Sequence, residues 1–90
     1  MYYTYIVYSP RHDRFLIGVT THMERRKKIL CHMLEDCKWV YYEAFDSSRE
    51  AILRENEWLT WSKTMIREMV DQNNPMWVDL ISPGHNKDNT

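Results

Sequence analysis

The chain has 90 residues, 43% of them hydrophobic and 28% charged, which suits one globular domain with a modest core and excludes global disorder. A net charge of −1 and a pI near 6.4 exclude a broadly basic surface, so any anion site must come from local clustering. There is no long apolar run, and the cysteines are Cys31 and Cys37 alone. The expectation is a cytoplasmic, intracellular protein with reduced thiols, no disulfide framework and no membrane span.

Tyr2 to Tyr8 is dense in aromatic and β-branched residues and predicts a first strand. Its period of two puts Tyr3, Tyr5 and Val7 on one face and Tyr2, Thr4, Ile6 and Tyr8 on the other. Ser9 to Asp13 reads as a turn around Pro10. Arg14 to Val19 then forms a second strand, most simply hairpinned to the first. Gly18 near its end permits a tight exit or the close approach of another group.

Residues 22–34 predict a helix, with Thr21 as N-cap and Glu24 completing a capping box. Met23, Leu30 and Leu34 share its apolar face, flanked by Ile29 and Met33. Arg26 falls inside that sector, whereas Arg25, Lys27 and Lys28 fall outside it and are expected to face water. Lys38 to Phe45 is a third strand, so this helix is a crossover. Ser47 and Glu50 make a second capping box for a helix running to about Trp61, whose core face is expected at Ile52 and Leu59 with Ala51 and Trp58 beside it. Glu55 sits within that apolar stripe. A shorter third helix starts at Ser62 or Thr64 and runs through Val70. Residues 76–81 fold back over the core, and 82–90 form a polar tail that frays. The fold class is therefore α/β of the α+β kind: a small three-stranded, largely antiparallel sheet flanked by helices, in the order β-β-α-β-α-α, with the domain spanning 1–81.

Arg26 and Glu55 are inward-facing charges of opposite sign. Burying either without a partner costs several kcal/mol, about 3–5 where a buried pair is broken, so each must be satisfied or must face a cleft. Two readings follow. The pair braces the helices against each other, or it forms a phosphate site in which arginine stabilises phosphoryl charge and glutamate holds a divalent cation. Tyr5 joins the second reading if its hydroxyl reaches the same cleft. Cys31, His32 and Cys37 lack the fourth ligand that a structural zinc site needs.

The order of these residues resembles the GIY-YIG nuclease family, and most of all its small members similar to the nuclease domain of the excision-repair incision subunit. The likeness rests on Tyr3-Thr4-Tyr5-Ile6, Leu16-Ile17-Gly18-Val19-Thr20, Glu24-Arg25-Arg26, Val40-Tyr41-Tyr42-Glu43-Ala44-Phe45, Ala51-Ile52-Leu53-Arg54-Glu55 and Asn74-Pro75-Met76-Trp77-Val78-Asp79-Leu80. It implies a metal-dependent endonuclease that hydrolyses phosphodiester bonds in DNA, branched or damaged, in repair or recombination. By resemblance Tyr5 helps to activate the attacking water, Arg26 stabilises the phosphate, and Glu55 ligates one Mg2+ or Mn2+. Arg25, Lys27 and Lys28 would contact the nucleic-acid backbone. Leu16 replaces the family's second tyrosine, and Leu30 replaces a histidine one turn after the arginine. His32 lies about 200° around the helix from Leu30 and cannot substitute for it. Reduced activity is therefore expected. The alternatives are a catalytically impaired nucleic-acid-binding module on the same fold, or a protein-interaction domain using Trp39 or Trp61.

Overall fold

The computed structural model describes residues 1–34 and 36–81, so Glu35 and the expected tail over 82–90 lie outside the described residues. Six elements follow in the expected order: β1 (Tyr2–Ser9), β2 (Arg14–Thr20), α1 (Met23–Met33), β3 (Lys38–Phe45), α2 (Ser48–Leu59) and α3 (Lys63–Asn73). The fold is α+β, and its sheet is antiparallel throughout with the order β2-β1-β3. β1 is central because both of its faces are apolar. Tyr5 and Val7 pack with Cys37 and Trp39 against Met23, Leu30 and Leu34 of the α1 layer. Ile6 packs on the opposite face with Val40, Trp58, Ile66 and Val70, under α2 and α3. No helix is long and apolar enough to cross a membrane.

β3 carries a bulge. Ile6 faces Tyr41 but Val7 faces Trp39, which leaves Val40 as the extra residue. A bulge interrupts the ladder, and its backbone groups need other partners. Residues 74–81 supply them. The Asn74 side-chain amide donates to the Val40 carbonyl at 3.0 Å, Asp79 accepts the Trp39 N–H at 3.0 Å, and the Leu80 N–H donates to the Trp39 carbonyl at 2.9 Å. The closing segment thus covers the outer edge of β3, an edge that would otherwise invite strand pairing. The indole N–H groups of Trp39 and Trp58 find no acceptor among the described residues, a cost offset by the large apolar area each ring buries.

Four local expectations are corrected. Lys27 does not face water: it is 1% exposed, and its ammonium pairs with Asp79 and donates to the Ile81 carbonyl. Met23, Lys27, Leu30 and Leu34 follow one helical stripe at i, i+4, i+7 and i+11, so the lysine lies on the core face and needs the carboxylate that arrives from the chain's end. In α2 the core face is Ala51 and Trp58, while Ile52 and Leu59 are 46% and 60% exposed. Burial of the larger Trp58 ring sets the rotation of the helix. The N-cap of α1 is His22, not Thr21, with no side-chain cap, because Thr20 and Thr21 spend their hydroxyls on His22 itself. The two cysteines are not separate thiols. Cys31 and Cys37 form a disulfide across the end of α1 and the start of β3, with Cα atoms 5.5 Å apart. The Ser47 cap holds as read, Ser62 rather than Thr64 begins α3 as its N-cap, and α3 continues three residues beyond Val70.

Asp13 anchors the hairpin turn to α3. It accepts hydrogen bonds from the Tyr8 hydroxyl at 2.7 Å and from Lys63 at 3.1 Å, and it pairs with Arg67. Its φ of 50° is a left-handed conformation that aspartate tolerates in turns. Two outcomes follow from these pairs. Asp79→Ala strands a buried ammonium and is expected to cost about 3 kcal/mol in urea unfolding, whereas Lys27→Met removes the buried charge and costs clearly less. The hydrogen bond from Tyr8, then those from Lys63 and the nearby Arg67 charge, pull the Asp13 pKa down to about 2. A carboxylate depressed in this way adds stability above its unfolded pKa of roughly 3.9 and loses it as pH falls through the folded value. Asp13→Asn is therefore expected to flatten the fall of stability between about pH 4 and about pH 2, read by denaturation across that window.

Candidate active site

β1 directs Tyr5 to the α1 face of the sheet, where its cross-strand partner is Gly18 of β2. The ring lies over that glycine. A Cβ built on Gly18 would meet the Tyr5 hydroxyl and would come within 2.7 Å of ring carbon Cζ. Only a residue without Cβ lets the ring cross β2, the edge strand, and this is the structural role of Gly18. On its other side the ring packs against Trp39, with centroids 4.4 Å apart. Tyr5 is 6% exposed.

Arg26 comes from α1 on the same face, and Glu55 comes from α2 on the opposite face. Both are partly buried. Burial raises the pKa of Tyr5, Arg26 pulls it down and Glu55 pushes it up, with a net rise. The two charges are therefore within electrostatic reach of one phenol, and the three residues singled out in the sequence share a neighbourhood. Arg26 and Glu55 do not neutralise each other. Among the described residues neither side chain has a hydrogen-bond or ion-pair partner.

The bracing role falls instead to Arg54. Its Nε and Nη2 donate to the two carboxylate oxygens of Glu43 at 2.8 and 3.1 Å, its Nη1 reaches Glu57 at 2.8 Å, and its guanidinium lies over the Trp58 and Trp61 rings. Burial opposes the charge on Glu43, but the hydrogen bonds from Arg54 and Tyr41 win and its pKa falls. Of the adjacent Arg54-Glu55 pair, one residue holds the fold together and the other is left uncommitted.

Leu16 and Leu30 pack on the same apolar cluster as Tyr5. Both leucines therefore belong to the hydrocarbon layer on the Tyr5 face of the sheet. A cavity of about 230 Å³ lies at the first turn of α1, lined by Thr20, Thr21, His22, Arg25, Arg26 and Ile29. A second, of about 580 Å³, shares Thr21, His22 and Arg25 with it and extends to Tyr3, Met23, Lys28 and Ile81. Arg25 and Lys28 are exposed as expected, whereas Lys27 is removed from this surface by its pairing with Asp79. His22 and Tyr3 were not marked by sequence reasoning as site residues. Their only signals are the position of His22 at the start of α1 and that of Tyr3 two residues before Tyr5.

No group of three or more His, Cys, Asp or Glu side chains is assembled among the described residues, so protein ligands alone would not hold an ion there. A lone carboxylate without a partner fits Mg2+ or Mn2+ in another way, because Mg2+ keeps several waters and is usually held by one or two carboxylates together with substrate phosphates. Glu55 meets that requirement. No protein-family model, curated protein or solved structure matches the chain.

The electrostatic link between the three residues is measurable without any substrate. Arg26→Gln removes the charge that lowers the Tyr5 pKa and is expected to raise it further, while Glu55→Gln removes the charge that raises it and is expected to lower it. Titration of ring-labelled Tyr5 by NMR reads both shifts. Equal values in the two variants would separate the residues from Tyr5.

Proposed function

We propose that the chain is a metal-dependent endonuclease of GIY-YIG type that hydrolyses DNA phosphodiester bonds slowly, at Tyr5, Arg26 and Glu55. The observation that carries this reading is that Arg26 and Glu55 are both partly buried and that, among the described residues, neither side chain has a hydrogen-bond or ion-pair partner. Structural charges of this chain find partners, as Lys27 and Arg54 do. Two partly buried charges without any among the described residues favour a ligand that brings its own complementary charge.

Each residue has a role that its chemistry permits. The Arg26 guanidinium would hold two phosphoryl oxygens through its planar fork and stabilise the charge that builds on them as water attacks phosphorus. With its pKa raised, Tyr5 is a neutral phenol at neutral pH, so it would orient the attacking water by hydrogen bonding rather than serve as a phenolate base. Glu55 would hold one Mg2+ or Mn2+, which supplies positive charge to the phosphate and the leaving oxygen. Leu16 and Leu30 can take no part in proton transfer. Each missing acid or base costs about 10²–10⁴ in rate, which is why slow turnover belongs to the proposal. The reading carries a cytoplasmic location.

A second reading, a non-cleaving nucleic-acid-binding module on the same fold, is favoured by the packing of Leu16 and Leu30 around Tyr5. One assay separates the two. Supercoiled plasmid and branched DNA are incubated with Mg2+ or Mn2+, and nicking is followed on gels. The proposal expects slow nicking that falls at least about 100-fold in both Arg26→Ala and Glu55→Gln. Nicking that survives both substitutions would move the chemistry elsewhere. Binding without nicking would leave the second reading.

A further inference from the structure

We infer that the larger cavity beside α1 receives one unpaired nucleotide of a single DNA strand, next to the phosphate held at Arg26. The inference rests on the proposed endonuclease reading and names the form of DNA that this site would take.

The two cavities meet at Thr21, His22 and Arg25. The smaller one contains Arg26, so a strand whose phosphate lies there has its neighbouring nucleotide at the mouth of the larger one. At about 580 Å³ the larger cavity falls within the range of roughly 300–1,000 Å³ typical of small-ligand sites. Its walls divide by chemistry. Tyr3, Met23 and Ile81 offer aromatic and apolar surface to the face of a base. Arg25 and Lys28 offer cations to the phosphates on either side. Glu24 is the one acid on the wall, and it can accept a hydrogen bond from a base amino group. The Tyr3 ring is steadied by an edge contact with Tyr42, with centroids 6.1 Å apart at 77°, which suits a stacking platform.

An intact duplex fits this surface less well. Duplex affinity comes from many phosphate contacts along the backbone. With Lys27 buried, the exposed cations of this face of α1 reduce to Arg25 and Lys28. A base inside a duplex is also stacked on its neighbours and is not available to a side wall. A strand with an unpaired nucleotide needs only a short cationic track and one aromatic platform, and both are present.

The experiment is fluorescence anisotropy at low salt with EDTA, so that binding is read without cleavage. The probes are a dye-labelled oligothymidylate, a blunt duplex of the same length, and thymidine monophosphate as competitor. The strand is expected to bind at least about ten-fold more tightly than the duplex. Tyr3→Ala is expected to weaken strand binding by about ten-fold, while Tyr3→Phe, which keeps the ring, binds as the parent does. Lys28→Ala is expected to reduce the salt dependence of strand binding by about 0.7 in log–log slope. Equal binding of strand and duplex, equal binding by Tyr3→Ala and Tyr3→Phe, or competition by the mononucleotide as strong as that by the strand would each overturn the inference. Tyr3-dependent strand binding in a protein that does not nick DNA sustains the pocket and rejects the endonuclease. Nicking with Tyr3-independent binding does the reverse.

Discussion

The space that Gly18 leaves for the Tyr5 ring is the constraint on which the candidate site depends. A Cβ at that position would collide with the phenol. The ring would have to swing off the edge strand, away from the place where a helix on either face brings a charge to it. The same ring is held from behind by Trp39, whose N–H and carbonyl are in turn bound by the closing segment. The missing side chain of a single residue is thus linked, through one aromatic contact and one bulge, to residues near the far end of the described chain. A small sheet can fix a phenol this firmly because β1 is central and buried on both faces.

The charges of this chain fall into two groups, and the division is physical. Lys27, Arg54, Lys63 and Arg67 each meet a carboxylate; Lys27, Lys63 and Arg67 tie segments at least 50 residues apart, and Arg54 ties α2 to the preceding β3. Removal of either partner leaves a penalty, which is how such pairs specify packing as well as contribute energy. Arg26 and Glu55 are partly buried without that compensation among the described residues. Partial exposure limits the cost, since water still reaches both, but it does not explain why neither has been drawn into a pair. Two opposite charges kept apart around one hydroxyl are what an anionic ligand with its own cation would require.

Much of the fold was legible because strands declare themselves by a period of two. The assignment of Tyr5 and Val7 to one face and Ile6 to the other needed no tertiary information, and the Ser47 cap could be read directly. Helix phase was less legible. In α2 the stripes through Ile52 and Ala51 differ by one residue, and hydrophobicity favoured the wrong one. The Trp58 ring decided the rotation, and its weight appears only when the facing surface of Ile6 and Val40 is known. Lys27 was misread for a related reason. It was placed outside the stripe of Met23, Leu30 and Leu34, and a lysine on that stripe makes sense only with Asp79, 52 residues away. The Val40 bulge likewise depends on chain closure and leaves no local trace. For the site, the identities of Tyr5, Arg26 and Glu55 were legible as charges and a phenol in unusual places. The cavity walls at His22 and Tyr3 were not, because neither residue breaks a sequence pattern.

Leu16 and Leu30 bear on the chemistry in two opposing ways. In the proposed reading they leave no proton carrier at either position, which slows any hydrolysis that needs one. As packing they belong to the apolar cluster that contains Tyr5, and burial is the largest influence on its raised pKa. A low-dielectric wall also strengthens the pull of Arg26 and Glu55 on whatever lies between them. The substitutions therefore weaken acid–base catalysis while leaving electrostatic stabilisation of a phosphate intact or enhanced. In the proposed reading the balance moves from fast turnover toward firm holding. A site of that kind gains most from a substrate whose geometry is already favourable, and an unpaired nucleotide beside the scissile phosphate supplies that geometry without any need for the protein to distort a duplex.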